Sequence, residues 1–232
     1  MRVRFWGHAF VEVTGRDGAV ILIDPFVTGN PQAEGAGARP QAFRPRAILL
    51  THGHGDHLGD ALAIARASGA TIVAPYELAM YCQRHGASVH AMHIGGSREF
   101  DWGWVKLTPA WHGSAVVEDD GRTVYTGNPC GYLLRIDGKT LYHSGDTALF
   151  GDMALIGQRH PIDVAFVPIG DNYTMGPDDA LHALSLIKPK LAVPMHYDTF
   201  DVIRQDAEAF AARARQAGVE VKVLRPGETL EV

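Results

Sequence analysis

Three histidines and an aspartate stand within six residues, His52-Gly53-His54-Gly55-Asp56-His57, directly after the strand-like run Ala47 to Thr51. Imidazoles and a carboxylate at this density are the donors a metal ion takes. Gly53 and Gly55 tolerate positive φ, so the backbone is expected to curl there and bring His52 and His54 onto one ion. Asp56 and His57 follow in a different direction and are free to serve a second ion beside the first. A solvated histidine-rich turn is the plain alternative, but four donors between strand and helix signals weigh against it.

Metal coordination needs further ligands, and His, Asp or Glu just after strand-like runs supply them. Three qualify. His112 follows Val105 to Ala110, Asp146 follows Thr140 to His143, and His196 follows Leu191 to Met195. Asp24, in Ile23-Asp24-Pro25 at a strand end, is expected either to accept a ligand histidine's free N–H or simply to cap a turn. His8 and His143 can touch substrate from strand ends, with structural hydrogen bonding favoured for His143. His85, His90, His93, His160 and His182 are assigned to surface or core. Asp171, Asn172, Tyr173 and Thr174 form a polar loop between a strand and a helix. They are candidate substrate contacts, or else Asp171 and Asn172 only satisfy turn geometry.

The elements that must position these residues read as an α/β alternation. Val3 to Trp6, Phe10 to Thr14 and Ala19 to Ile23 form a β-meander, and Thr28 to Arg46, rich in Gly, Ala and Pro, reads as an exposed loop. After the buried-type strand Ala47 to Thr51, Asp60 caps a helix closed by Gly69. Thr71 to Ala74 is the next strand, and a helix over Glu77 to His85 follows it. Asp137-Gly138 marks a hairpin between Gly131 to Ile136 and Thr140 to His143. Val164 to Ile169 is a strand, and Pro177 opens a helix whose Leu181, Leu184 and Ile187 face the core. Asp201 to Gln216 reads as one final helix. Strand-rich stretches each followed by helices fit two sheets packed inside helical layers.

With 232 residues, 46% hydrophobic and 20% charged, the chain suits one globular domain spanning residues 1–232. A net charge of −5 with scattered Lys and Arg disfavours a nucleic-acid surface. No basic-apolar leader opens the sequence and no run of about 18 apolar residues interrupts it, so a cytoplasmic protein without a membrane partner is expected. Self-association into a homo-oligomer stays open. Cys82 and Cys130 are solitary and read as small core residues.

The segment Thr51 to His57 resembles the Thr-His-x-His-x-Asp-His motif of the metallo-β-lactamase superfamily. Later family motifs fall in order on His112, Asp146 and His196, so the resemblance spans nearly the whole chain. Trp6-Gly7-His8-Ala9-Phe10, Asp24 to Pro31 and Gly170 to Gly176 look like the small metal-dependent hydrolases allied to the ascorbate-phosphate lactonases. The resemblance implies an α+β fold, an αββα sandwich with two mixed sheets and a metal pair at one sheet edge. It implies His52, His54 and His112 on one ion and Asp56, His57 and His196 on the other, bridged by Asp146 and a hydroxide. His54 stands where the oxygen-reducing flavodiiron branch carries Glu, and the length excludes the large additions of the glyoxalase and nuclease branches.

A donor set of nitrogen and oxygen suits two divalent ions per chain, Zn foremost, with Mn, Fe or Ni compatible. Two such ions set against Asp56, Asp146 and a hydroxide leave about one positive charge, which favours a small anionic lactone, ester or phosphoester. Asp56 is either a ligand only or also the group that shuttles the water proton. The segments Thr28 to Arg46 and Ser114 to Pro129 are expected to shape the substrate pocket. The competing readings are a phosphodiesterase or nuclease, which would need a basic groove, and a non-catalytic metal-binding sensor or scaffold.

Overall fold

The computed structural model describes residues 1–232. The first sheet contains β1 (Arg2–Gly7), β2 (Phe10–Thr14), β3 (Val20–Ile23), β4 (Ala47–Leu49), β5 (Thr71–Pro75) and β6 (Val89–Met92). The second is built from β7 (Ser97–Phe100), β8 (Gly103–Pro109), β11 (Cys130–Ile136), β12 (Lys139–His143), β13 (Val164–Pro168) and β14 (Leu191–Met195). Between β8 and β11 lies a separate ribbon of β9 (Ala115–Val117) and β10 (Thr123–Tyr125), and β15 (Thr229–Glu231) returns to the first sheet. The spatial orders are β15-β1-β2-β3-β4-β5-β6 and β14-β13-β12-β11-β8-β7. Each sheet is mixed: β3 to β6 pair in parallel beside an antiparallel half, and β12 to β14 do the same in the second sheet. The short helices α1 (Pro31–Gly35) and α2 (Gly55–Leu58) and the longer α3 (Ala61–Ser68) and α4 (Tyr76–Arg84) belong to the first half of the chain. α5 (Met153–Arg159), α6 (Pro177–Ile187) and α7 (Ala207–Gln216) belong to the second.

Three buried clusters fill the three interfaces of these four layers. Val3, Phe5, Val11, Ile21 and Leu49 of the first sheet meet Val105, Tyr132, Leu134, Leu141 and Phe166 of the second between the sheets. Leu22, Ile48, Ile72 and Ala74 turn the other way onto Leu58, Ile64, Leu78 and Cys82. Leu133, Tyr142, Ala165 and Val167 do likewise onto Met153, Ile156, Leu184, Ile187 and Phe210. The alternation Ile21/Leu22 and Ile48/Leu49 follows from the period-two geometry of a strand buried on both faces. The result is the expected αββα sandwich, and Cys82 and Cys130 are both free and buried in it.

Several segments differ from the sequence reading. Thr28 to Arg46 is not a bare loop: Asn30 Oδ1 accepts from the backbone N–H groups of Gln32 and Ala33, capping α1 with Pro31 in its first turn. Asp60 does not cap α3 through its side chain. Its carboxylate is taken by Val27 N, Thr28 N and Thr28 Oγ1. Ser114 to Pro129 contains the β9–β10 ribbon. Asp201 to Gln216 is not one helix: a single turn over Asp201–Ile203 is separated from α7, because Asp198 Oδ1 captures Gln205 N and Asp206 Oδ1 caps α7 at Ala209 N. No helix is long and apolar enough to cross a membrane.

Candidate metal centre

The candidate ligands converge from the C-terminal ends of strands in both sheets. β4 leads into Thr51 and His52, His54 is the N-cap residue of α2, and Asp56 and His57 lie in that helix's only turn. Gly53 and Gly55 are not at positive φ, contrary to expectation. Gly53 is needed for space instead: a Cβ there would run into Thr126 Oγ1 and Val116, where the β9–β10 ribbon closes over the backbone. His112 follows β8, Asp146 follows β12 and His196 follows β14. The His112 and Asp146 loops are tied together by Trp111 N to Thr147 Oγ1 (2.9 Å) and Ala148 N to Trp111 O (3.0 Å). His196, in the left-handed region at φ 56°, donates its N–H to His8 O at 2.7 Å.

Two donor groups result. The ligand atoms of His52, His54 and His112 lie within 4.8 Å of one another, as do those of Asp56, His57, His196 and His8. Asp146 stands between them, its Oδ2 3.6 Å from His112 Nε2, 3.3 Å from His57 Nε2 and 3.0 Å from His196 Nε2. His57 Nε2, Asp146 Oδ1 and both ring nitrogens of His196 are buried and make no hydrogen bond. Buried polar atoms in proteins are seldom left unpaired, and orphans gathered where His and Asp donors converge fit a bound cation.

Asp24 sets which ring nitrogens face that point. Its Oδ2 accepts from Thr51 Oγ1 (2.6 Å) and His57 Nδ1 (2.8 Å), and its Oδ1 from Thr51 N (2.8 Å), all fully buried. With Nδ1–H donated to Asp24, His57 turns Nε2 toward the cluster, the nitrogen that gives up its proton when an ion binds. Thr51 Oγ1 has given its proton to Asp24, so it accepts from His52 Nδ1 (3.0 Å), and His52 Nε2 keeps its lone pair. One carboxylate thus fixes the tautomers of two candidate ligands. Asp24 acts on a candidate ligand histidine and is not a mere turn cap.

His8 is 0% exposed, so it does not reach substrate as expected. Its Nε2 is 2.9 Å from Asp56 Oδ2 and its Nδ1 2.9 Å from Thr199 Oγ1. Burial, with the charge of His196 nearby, lowers its pKa to about 4, so it is neutral. A neutral ring beside a carboxylate donates from Nε2 and accepts the Thr199 hydroxyl at Nδ1. His8 therefore holds Asp56 in place. His143 is buried and bonded to Ala9 O at 2.9 Å.

The two donor groups differ in charge. Burial lowers the pKa values of His52, His54 and His112, leaving neutral imidazoles. Burial opposes charging of His57 and His196 as well, but the carboxylates of Asp146 and Asp56 beside them prevail. They raise His57 well above its usual value and His196 to about 9. Burial alone would likewise raise Asp56 and Asp146. The neighbouring His57 and His196 instead hold both carboxyls below the usual range.

The centre opens into a cavity of about 430 Å³ lined by His54, Asp56, His112, Asp146, His196, Tyr173, Phe200 and Val202. Of the predicted loop contacts only Tyr173 lines it. Asp171 and Asn172 are at positive φ, and Asn172 N donates to Asp171 Oδ1, so they build the turn; Thr174 does not reach the cavity. Neither Thr28 to Arg46 nor Ser114 to Pro129 lines it. Phe200 and Val202, unnoticed in the sequence, do so, Val202 from the single turn that stands apart from the rest of the expected helix. A larger groove of about 620 Å³, among Arg46, His90 and Trp102, lies at the opposite strand ends of the first sheet and holds none of these ligand groups.

The model of the beta-lactamase superfamily domain matches residues 20–197, a span holding all seven candidate ligands. The chain is 54% identical over 233 residues to the UPF0173 metal-dependent hydrolase of Pelotomaculum thermopropionicum, covering 100% of both. It is 52% identical to the corresponding metal-dependent hydrolase of Carboxydothermus hydrogenoformans, covering 98% of both. Among solved structures, the metallo hydrolase Igni18 of Ignicoccus hospitalis superposes with a TM-score of 0.88 at 37% identity, over 100% of this chain and 98% of that one. With the fold, the ligand cluster and these relatives in agreement, the chain belongs to the metallo-β-lactamase superfamily and is one of its metal-dependent hydrolases.

Proposed function

We propose that the chain holds two divalent ions and hydrolyses small lactones, esters or phosphoesters. The observation carrying this reading is the pair of donor groups on either side of Asp146, with orphaned buried atoms facing between them. His52, His54 and His112 would hold one ion, Asp56, His57 and His196 the other, and Asp146 would bridge them. Seven donors exceed what one tetrahedral ion uses. No thiolate takes part, since Cys82 and Cys130 lie in the core, so Zn, Mn, Fe and Ni all suit the set. When bound, the ions supply Lewis acidity that polarises the attacked oxygen and makes water a nucleophile near neutral pH.

The chain's own residues do the rest. Asp56, held through Oδ2 by His8 and open to the cavity, is placed to orient the water and take its proton for the leaving group. Asp24 and Thr51 keep His57 and His52 presenting bare nitrogens. In the charge count, Asp24 joins Asp56, Asp146 and a hydroxide against two divalent ions, so the surplus positive charge expected from sequence falls to about zero. An anionic substrate is no longer favoured on that ground. The cavity lining contains no Lys or Arg, which counts against a phosphodiesterase or nuclease.

Elemental analysis of the loaded protein with a panel of lactone, ester and phosphodiester substrates tests the proposal. Two ions per chain and turnover abolished by chelation are expected. Activity that survives complete metal removal would overturn the mechanism, and no turnover with any metal would favour a sensor or scaffold.

A further inference from the structure

The cavity wall away from the ligands is apolar and outward-facing. Tyr173 is 57% exposed, Phe200 39% and Val202 52%, against a molecule whose other large apolar side chains are mostly buried. Exposed apolar groups clustered at the mouth of a polar centre mark a binding surface. These are not loose side chains. The Phe200 ring is backed by His8 at 5.5 Å and Phe26 at 6.5 Å between centroids. Val202 rides on a turn pinned by buried Ile203, whose O accepts from Asp198 N at 3.0 Å. The nearest basic group on this turn, Arg204, is bound to Asp201 Oδ1 at 2.6 Å and does not line the cavity. Every charged or ionisable side chain in the lining except Tyr173 belongs to the ligand set.

From this wall we infer the substrate class, resting on the hydrolase reading above: an uncharged ester, thioester or lactone whose aliphatic or aromatic acyl part lies against Phe200, Val202 and Tyr173. An anionic tail would leave water for a wall offering it no cation, which is costly. An apolar tail gains by the same transfer, by about fourfold for each methylene buried. In the reaction the water oxygen bonds to the acyl carbon and the bond from that carbon to the alcohol or thiol breaks. One water proton goes to the leaving group and the other to solvent, leaving the carboxylate.

Alkyl hydroxamates test the inference without relying on turnover, since the head group chelates the centre and the tail probes the wall. Calorimetric titration of zinc-loaded protein with acetohydroxamate, hexanohydroxamate and a chain of equal length ending in carboxylate is the experiment. Hexanohydroxamate should bind at least tenfold more tightly than acetohydroxamate, and the carboxylate end should remove most of that gain. Phe200→Ala should reduce the hexano-to-aceto ratio at least threefold. Val202→Arg, a change at an exposed position, should shift preference toward the carboxylate-ended probe. The same order is expected in kcat/KM for p-nitrophenyl acetate, butyrate and hexanoate. A flat ratio, or tighter binding of the carboxylate-ended probe by the unmodified protein, overturns the inference while leaving the hydrolase reading intact. Failure of acetohydroxamate to bind protein that carries its metal overturns both.

Discussion

Replacing Asp24 by Asn removes one charge, keeps the shape and reverses the hydrogen-bond logic beneath the centre. Asp24 sits at φ 48°, a region Asn tolerates about as well, so the backbone is undisturbed. The amide oxygen still accepts from Thr51 N. Its nitrogen, however, replaces the oxygen that now takes protons from Thr51 Oγ1 at 2.6 Å and His57 Nδ1 at 2.8 Å. An amide N–H can only donate there. His57 Nδ1 must become an acceptor, which leaves the ring's one remaining proton on Nε2. Thr51 Oγ1, receiving from the amide, turns its own hydrogen to His52 Nδ1, which moves the His52 proton to Nε2 as well. Two lone pairs facing the ions become N–H groups. A lost partner behind a ligand typically costs about 10- to 100-fold in metal affinity, and here two ligands are affected, so a loss of at least 100-fold is expected. Competition titration against a chromophoric chelator measures it, and ¹⁵N shifts of the imidazole nitrogens report the tautomers directly. Folding is checked by circular dichroism. An Asp24→Asn protein that binds zinc within about twofold of the parent, with His57 still protonated on Nδ1, would refute the reasoning.

Asp146→Ala should disturb both ions, whereas His112→Ala or His196→Ala should chiefly weaken one, because a carboxylate has two oxygens and an imidazole a single lone pair to offer; if metal analysis finds two tightly held ions in Asp146→Ala, Asp146 is not the bridge. The metal-free protein should lose stability as pH rises from about 6.5 to about 9. The folded pKa of His196 is raised to about 9 from about 6.5 unfolded, so its pairing with Asp146 is fully present below about 6.5 and is lost as pH passes about 9. The metal-loaded protein should show the opposite slope, since ions compete with protons for imidazole, and Tm against pH with and without chelator separates the two. Gly53→Ala should destabilise by about 1–3 kcal/mol through its clash with Thr126, a fall of roughly 2–10 °C in Tm, and Thr126→Ala in the same chain should recover part of it.

The layered architecture was legible because its strands are buried on both faces. Runs such as Val20-Ile21-Leu22-Ile23 and Val164 to Pro168 carry an unbroken apolar signal, and Asp137-Gly138, at φ 56° and 76°, makes the hairpin its residues require. Edges carried no such signal. Ser97-Arg98-Glu99-Phe100 pairs only with β8 and is mostly exposed, so its composition is that of a loop. α5 hides because Gly157 interrupts its pattern, yet glycine is what its packing requires: a Cβ there would strike Ile187 O at the end of α6.

For the site, residue type and strand-exit position picked out residues that converge, because strand ends bring such side chains to one edge of the sheets. What they could not convey is burial and direction. His8 reads like a substrate contact from its neighbours, and only tertiary packing shows its two nitrogens already taken by Asp56 and Thr199. Val202 falls inside the helix expected over Asp201 to Gln216, and Phe200 just before it. Competition from two side chains, Asp198 on Gln205 N and Asp206 on Ala209 N, breaks that helix, leaving Val202 at the cavity mouth while Ile203 alone stays buried. The chemistry is therefore written in local motif residues. The apolar wall beside them depends instead on a helix interruption seven residues beyond His196, and the tautomers of His57 and His52 on a carboxylate twenty-eight residues before His52.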